Sequence, residues 1–277
     1  MTGSPSAEWI ENRPTRGLRW PDLGELWQHR ELAAFLAIRD LKVRYKQAAF
    51  GVAWAVLQPL AGAVVFTVVF GRFADVPSEG IPYPIFAFVG VAVWSYASGS
   101  VTKATQSLVT NSALVTKVYF PRILAPLSAI VPGLVDFALS LLALAVLMII
   151  FHVGPTWAIA TLPLWVLALV VTAFGIGLVL GTVNVSYRDV NQAIALLVQL
   201  WMFVTPVAYP SSLVPARWRA LYFVNPMSGV VEGFRWALVG TPWPGNAVFI
   251  SLAMSTLVLV GGIAYFERVE RRFADVI

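Results

Sequence analysis

Six long runs of apolar residues constrain the fold of this 277-residue chain more than any other feature of its sequence. A helix needs about 20 mostly apolar residues to cross a bilayer, and each run is close to that length. Only 12% of the residues are charged, whereas a soluble domain has roughly 25%, so lipid must cover part of the surface. The sequence therefore predicts an all-α polytopic membrane protein with six transmembrane helices. These spans lie near residues 50–70, 85–104, 124–151, 161–183, 191–208 and 246–266.

The segment before the first run divides into two parts. Residues 1–21 are punctuated by proline and glycine, which predicts an irregular cytoplasmic N-terminus. Residues 22–47 place apolar side chains at helical spacing, and most of their charges lie elsewhere on the helical wheel. This pattern predicts an amphipathic helix in the membrane interface, and Asp22 with Glu25 resembles a capping box at its start. A solvated cytoplasmic helix is the alternative for this segment.

Residues 48–277 are predicted to form a single transmembrane domain that contains one irregular stretch. Residues 220–240 are mostly apolar, but they include Asn225-Pro226, Gly229, Gly233 and the charged residues Glu232 and Arg235. Breaks of this kind are tolerated at membrane depth only where protein or water covers the backbone, because hydrocarbon cannot satisfy its polar groups. We therefore expect a re-entrant outer segment here, between spans five and six.

The distribution of positive charge predicts the orientation of the chain. Fifteen of the 19 lysine and arginine residues fall in segments that lie inside if the N-terminus is cytoplasmic, as the positive-inside rule requires. No short apolar core lies near Met1, so we expect no signal peptide, and both termini are predicted to be cytoplasmic. Because the positive charges flank apolar runs, they favour contact with anionic lipid headgroups over nucleic acid.

The sequence offers little for catalysis. It contains no cysteine, only two histidines (His29 and His152) and no phosphate-binding GxxxxGK[ST] motif. These observations predict a chain that is not an enzyme, with no metal site and no cofactor of its own. Asp136 is the only carboxylate near the middle of a span. It is either a proton site or a structural group that accepts a hydrogen bond from a hydroxyl or an indole.

Aromatic and amide side chains recur in spans one, two and five. Such a mixture can stack on sugar rings and hydrogen-bond to their hydroxyls, so these residues are candidates for the wall of a substrate pathway. The alternative is the aromatic belt that Trp and Tyr form where a membrane meets water. The candidates are Trp54, Gln58, Trp94, Tyr96, Gln199, Trp201 and Phe203.

Four stretches, in this order, resemble the ABC-2 type permeases, in particular the branch that exports lipid-linked polysaccharides such as O-antigen, teichoic acid and capsule. The resemblance implies a homodimer that works with two copies of a separate subunit, which binds ATP and Mg²⁺. It also implies the bacterial inner membrane as location. An exporter of small molecules or drugs is one alternative, and a proton-coupled carrier using Asp136 is another. The stretches are RDLKVRYKQAAFGVAWAVLQPL (39–60), NSALVTKVYFPRILAP (111–126), GTVNVSYRDV (181–190) and TPVAYP with NPMSGVVEGFRWALVG (205–210, 225–240).

The resemblance also implies roles for particular residues. The helix before span one corresponds to a gate helix at the cytoplasmic mouth, and residues 111–120 correspond to a coupling helix that docks on the ATPase. The gate residues are Arg39, Asp40, Lys42, Arg44 and Tyr45, and the coupling residues are Asn111, Leu114, Val115, Lys117 and Tyr119.

Two groups of basic residues are candidates for contact with a substrate diphosphate. Those of the gate helix could attract it at the inner mouth, or they could bind anionic phospholipid instead. Three arginines are candidates for the outer exit, where the alternative is pairing with Glu232 and with headgroups. They are Arg217, Arg219 and Arg235.

Overall fold

A computed structural model describes residues 22–46, 51–117, 120–187 and 189–270 of the chain. Within these ranges the regular elements are helical and no strand occurs, so the all-α prediction is confirmed there. A π-helical segment over Thr67–Phe73 continues α3, and a 3-10 turn over Trp157–Thr161 leads into α7. The helices are α1 (Leu23–Gln28), α2 (Arg30–Lys46), α3 (Ala53–Phe66), α4 (Tyr83–Thr110), α5 (Ser112–Lys117), α6 (Leu124–Ile150), α7 (Leu162–Ser186), α8 (Val190–Phe203), α9 (Ala216–Tyr222), α10 (Pro226–Val239) and α11 (Val248–Glu270).

Five of the described helical segments are long and apolar enough to cross a membrane. They correspond to predicted spans one to four and six. The fifth predicted span contains α8, which has only 14 residues and falls short of that length. The number of six spans therefore stays a prediction. The five segments are Ala53–Phe73, Tyr83–Thr110, Leu124–Ile150, Trp157–Ser186 and Val248–Glu270.

The predicted helix over residues 22–47 is divided into two helices. Asp22 is the N-cap of α1, as predicted, but its carboxylate accepts a hydrogen bond from the amide of Gly24 at 2.8 Å and not from that of Glu25, as it would in a capping box. His29 separates α1 from α2. The α2 helix packs against α6 and buries Leu36 and Ala37. Residues 1–21, and Gln47 at the end of the predicted helix, lie outside the described residues.

Pro59 lies inside α3 and takes away one backbone donor. A proline leaves the carbonyl four residues earlier without its helical partner, and that carbonyl belongs to Ala55. The Ser140 hydroxyl of α6 donates to it at 3.0 Å. The proline in span one is thus compensated by a hydroxyl from span three, which fixes the two helices side by side.

The α4 helix forms the centre of the fold. In its most apolar stretch 72% of the residues are buried, against 22% in α6 and in α11. It packs against α3, α6, α7 and α10. On the far side of α7, α11 approaches so closely that a Cβ at Gly262 would lie 2.7 Å from the carbonyl oxygen of Gly175. Glycine therefore permits a close backbone contact between α7 and α11.

The segment between α8 and α11 is broken where the sequence predicted a break. The α9 helix ends at Tyr222, and α10 begins at Pro226 with Asn225 as its N-cap, whose side chain accepts from the amide of Met227 at 3.1 Å. Gly240 ends α10 with a left-handed φ of 72°. Whether this segment enters the bilayer from outside stays a prediction.

Candidate functional site

Two side chains of α2 converge on one carboxylate of α6. The Arg44 guanidinium forms an ion pair with Asp136, and the Tyr45 hydroxyl donates a hydrogen bond to the same carboxylate. Burial, together with this hydrogen bond, raises the pKa of Tyr45 to about 12, so the phenol stays a donor even well above neutral pH. Asp136 therefore accepts a hydrogen bond from a hydroxyl, which is the arrangement expected if its role is structural. Its basic partner, Arg44, lies on α2 and not on another span.

A second polar contact joins α2 to the end of α4. The Arg39 guanidinium donates to the Asp40 carboxylate at 2.8 Å and to the side-chain oxygen of Asn111 at 2.8 Å. Asn111 caps the C-terminus of α4, where its side-chain nitrogen Nδ2 donates to the Ser107 carbonyl at 2.8 Å. The α5 helix begins at the next residue. One hydrogen bond thus connects the predicted gate helix to the beginning of the predicted coupling helix. Lys42 is exposed on α2.

The predicted coupling helix over 111–120 is described in part. The α5 helix spans Ser112–Lys117 and contains Leu114, Val115 and Lys117. The Leu114 side chain is half-buried against the apolar cluster that includes Leu108 and Phe120. Tyr119 lies outside the described residues.

A polar cavity lies between α3, α4 and α6 beside these contacts. Its volume is about 150 Å³, and its wall includes Gln58, Tyr96, Lys103 and Asp136. Gln58 and Tyr96 are the two pathway candidates that the structure brings together here. Lys103 was not among the sequence candidates, because a lysine near the end of a span is ordinarily explained by the positive-inside rule.

The other pathway candidates divide into buried and exposed residues. The rings of Trp94 and Trp201 meet edge to face at 5.1 Å, and the Trp201 indole donates to the Asn225 side chain at 2.9 Å. This contact makes Trp94, which is 6% exposed, part of the packing between α4 and α8. By contrast, Trp54 and Phe203 are each more than half exposed. Gln199 is also exposed, on α8.

The three arginines predicted at an outer exit occupy different environments. Arg217 is exposed, with its guanidinium 5.8 Å from the Trp218 ring, and Arg219 is partly buried. Arg235 has no exposed surface and pairs with Glu232 at 3.4 Å. In this conformation Arg235 therefore pairs with Glu232, which was the alternative to a place at the outer exit.

The buried Arg235 side chain holds the bend that follows α8. Its guanidinium donates to the carbonyls of Pro206 and Val207, both at 2.6 Å, and lies 3.6 Å from the centre of the Phe86 ring. These carbonyls belong to the TPVAYP stretch. A Cβ at Gly90 of α4 would lie 2.4 Å from the Val207 oxygen, so glycine lets the bend touch α4. The sequence gives no signal for this role, because arginines are rarely fully buried.

Comparison with known proteins gives a matching family and several relatives. The family described as ABC-2 type transporter matches residues 31–239. The O-antigen export system permease protein RfbA of Myxococcus xanthus is 32% identical over 255 residues, which cover 91% of this chain and 97% of that protein.

Two further relatives match over comparable lengths. The O-antigen export system permease protein RfbA of Klebsiella pneumoniae is 25% identical over 89% of this chain and 95% of its own length. The polysialic acid transport protein KpsM of Escherichia coli is 24% identical over 85% of this chain and 92% of its own length. In each pair the similarity thus extends over most of both chains.

Proposed function

Because this chain belongs to the ABC-2 type transporter family, we propose that it is the permease subunit of an exporter that moves a lipid-linked polysaccharide across the bacterial inner membrane. The observation that carries the proposal is the 32% identity, over nearly the full length of both chains, to an O-antigen export permease. The name of a second relative, a polysialic acid transport protein, supports a polysaccharide over a small molecule.

In this proposal the energy comes from a separate ATPase. The sequence has no GxxxxGK[ST] motif, so nucleotide and Mg²⁺ bind to the partner. The α5 helix docks on that partner, and the Arg39–Asn111 hydrogen bond passes its movement to α2. The α2 helix acts as the gate, held closed against α6 by the contacts of Arg44 and Tyr45 with Asp136.

The substrate pathway in this proposal lies between two copies of the chain. Ile194 is the only buried residue of α8, and Gln199 and Phe203 lie on its exposed part. An exposed amide is costly in hydrocarbon, so a polar passage or a second subunit covers Gln199 better than lipid does. Trp54 of α3 is a further exposed candidate for this passage.

The experiment measures export in cells that lack the chromosomal copy. Wild-type and variant genes are expressed there, and surface polysaccharide and intracellular lipid-linked polysaccharide are quantified together. We expect loss of the gene to abolish the surface polymer while the lipid-linked form accumulates inside. Purification of the tagged chain tests the partnership, because we expect an ATP-binding subunit to copurify with it. Unchanged surface polymer without the gene would contradict the proposal.

Variants of exposed aromatic residues test the pathway. Trp94 and Tyr96 are unsuitable because both are buried, so their removal would disturb packing. Phe203→Ala is better, because Phe203 is 57% exposed, and Phe249→Ala of α11 is a matched control at 58%. We expect Phe203→Ala to reduce export at unchanged subunit assembly and Phe249→Ala to leave it intact. Equal export by both variants would remove Phe203 from the pathway.

A further inference from the structure

The cavity between α3, α4 and α6 carries net positive charge. Its charged wall residues are Arg44, Lys103 and Asp136, which are two cations and one carboxylate. Arg44 is paired with Asp136, whereas Lys103 has no hydrogen bond or ion pair with another residue in the part of the chain that the structure describes. An anion in this cavity would therefore meet an ammonium group that is not already engaged.

Two hydroxyls in the same wall have no partner outside their own pair. Tyr96 is 4% exposed and Ser100 is 2% exposed, and among the described residues no third residue hydrogen-bonds to either hydroxyl. Buried polar groups nearly always have their hydrogen bonds satisfied, so these hydroxyls indicate a guest that is rich in oxygen. At about 30 Å³ per water in the liquid, the cavity of about 150 Å³ holds about five waters. A phosphate group with several waters fits this space.

We propose that this cavity binds a lipid phosphate group, held by Lys103 and the two hydroxyls, and that the bound phosphate draws Arg44 away from Asp136. A guanidinium binds phosphates and carboxylates with the same fork of N–H donors, so the two anions compete for Arg44. Because Arg44 is one of the two side chains that hold α2 to Asp136, its transfer loosens the gate helix. Phosphate binding thereby becomes a signal that frees α2.

This inference deepens the proposed function and rests on it in one respect, namely that the substrate arrives as a lipid diphosphate. Other anions offer the same chemistry. An ordinary anionic phospholipid carries one phosphate, and inorganic diphosphate carries two without a lipid. The experiment therefore compares a polyprenyl diphosphate, phosphatidylglycerol and inorganic diphosphate as three separate probes.

A single cysteine on the buried face of α2 reports its release. The chain has no cysteine of its own, and Ala37 is only 8% exposed, so Ala37→Cys gives one shielded thiol. The full-length protein is purified with its associated subunits and placed in phosphatidylcholine nanodiscs without ATP. The rate of maleimide labelling is then measured with each probe.

We expect polyprenyl diphosphate to accelerate the labelling. In the Lys103→Gln background, about tenfold more probe should be needed, because a hydrogen bond to a charged group is lost. Lys103→Arg should restore the response, which shows that the Gln variant has not failed for reasons of folding. Arg268→Gln removes one charge from an exposed residue of α11 outside the cavity, and it should respond like the parent.

Asp136→Asn gives an independent readout, because it removes the carboxylate that holds Arg44. We expect this variant to be labelled rapidly without any probe. A response to phosphatidylglycerol or inorganic diphosphate that depends on Lys103 also supports the phosphate site and identifies the source. Labelling that no probe changes, or that changes equally in Lys103→Gln, overturns the inference.

The labelling assay contains neither a glycan chain nor ATP, so it separates this inference from the proposed function. Normal polysaccharide export with no labelling response would overturn the phosphate site alone. A Lys103-dependent labelling response of the purified protein, together with surface polysaccharide that cells produce without this chain, would overturn the polysaccharide substrate instead.

Discussion

Replacing Arg235 with methionine removes the guanidinium that holds the bend after α8 against α4. Methionine has a similar length and keeps most of the packing, so the change is mainly electrostatic. The carbonyls of Pro206 and Val207 each lose a donor at 2.6 Å, and the buried carboxylate of Glu232 loses its cation. No water can replace these partners without entering the core, because Arg235 has no exposed surface.

The expected loss of stability follows from these contacts. Removing one partner of a buried ion pair costs about 3–5 kcal/mol, because the other charge stays uncompensated. For a chain of this size that corresponds to a fall in melting temperature on the order of 10 °C. Adding Glu232→Gln should recover part of the loss, since the second change removes the orphaned charge. Arg235→Lys should be intermediate, because an ammonium lacks the fork that reaches two carbonyls.

The assay is thermal unfolding of the purified protein in one detergent, followed by the fluorescence of its 11 tryptophans. Arg217→Met is the matched control, since Arg217 is exposed and surface changes usually stay within about 0.5 kcal/mol. If Arg235→Met melted within the scatter of Arg217→Met, the buried contacts would not stabilise the bend and the reasoning would be refuted.

Three further substitutions test close contacts in the fold. Gly90→Ala should prevent folding, because its Cβ would meet a carbonyl oxygen of the bend at 2.4 Å, whereas Gly99→Ala on the same helix meets nothing within 4 Å and should express normally. Gly262→Ala should separate α7 from α11 and lower the melting temperature, while its neighbour Gly261→Ala, with open space, should not. Tyr45→Phe removes one of the two side-chain contacts to the Asp136 carboxylate of α6. A hydrogen bond to a charged group contributes about 1.5–3 kcal/mol, so we expect α2 to be cleaved by protease faster by the corresponding factor. An unchanged rate of proteolysis would count against the contact.

Apolar run length was enough to predict the helical class and the five described segments that are long and apolar enough to cross a membrane. The break at Asn225-Pro226 was also visible, since proline begins a helix more readily than it continues one. These features are local, so the sequence reports them directly.

The partner of Asp136 could not be predicted, because Arg44 and Tyr45 lie about 90 residues away in sequence and on a helix outside the spans. The interior position of Arg235 was hidden for a different reason. A charge near the end of a membrane segment ordinarily lies at the interface, and only the folded bend supplies the carbonyls that make its burial favourable. The buried position of Trp94 likewise depends on its contact with α8.

The shortness of α8 has a consequence for the surrounding lipid. At about 1.5 Å per residue, its 14 residues extend over about 21 Å, while the hydrocarbon core of a bilayer is about 30 Å thick. If α8 is the core of the predicted fifth span, the bilayer beside it thins or water reaches inward, at a fraction of a kcal/mol per Å of mismatch. In the proposed export mechanism, a sugar diphosphate that moves beside α8 then crosses a narrower layer of hydrocarbon than it would beside a helix that spans the full thickness.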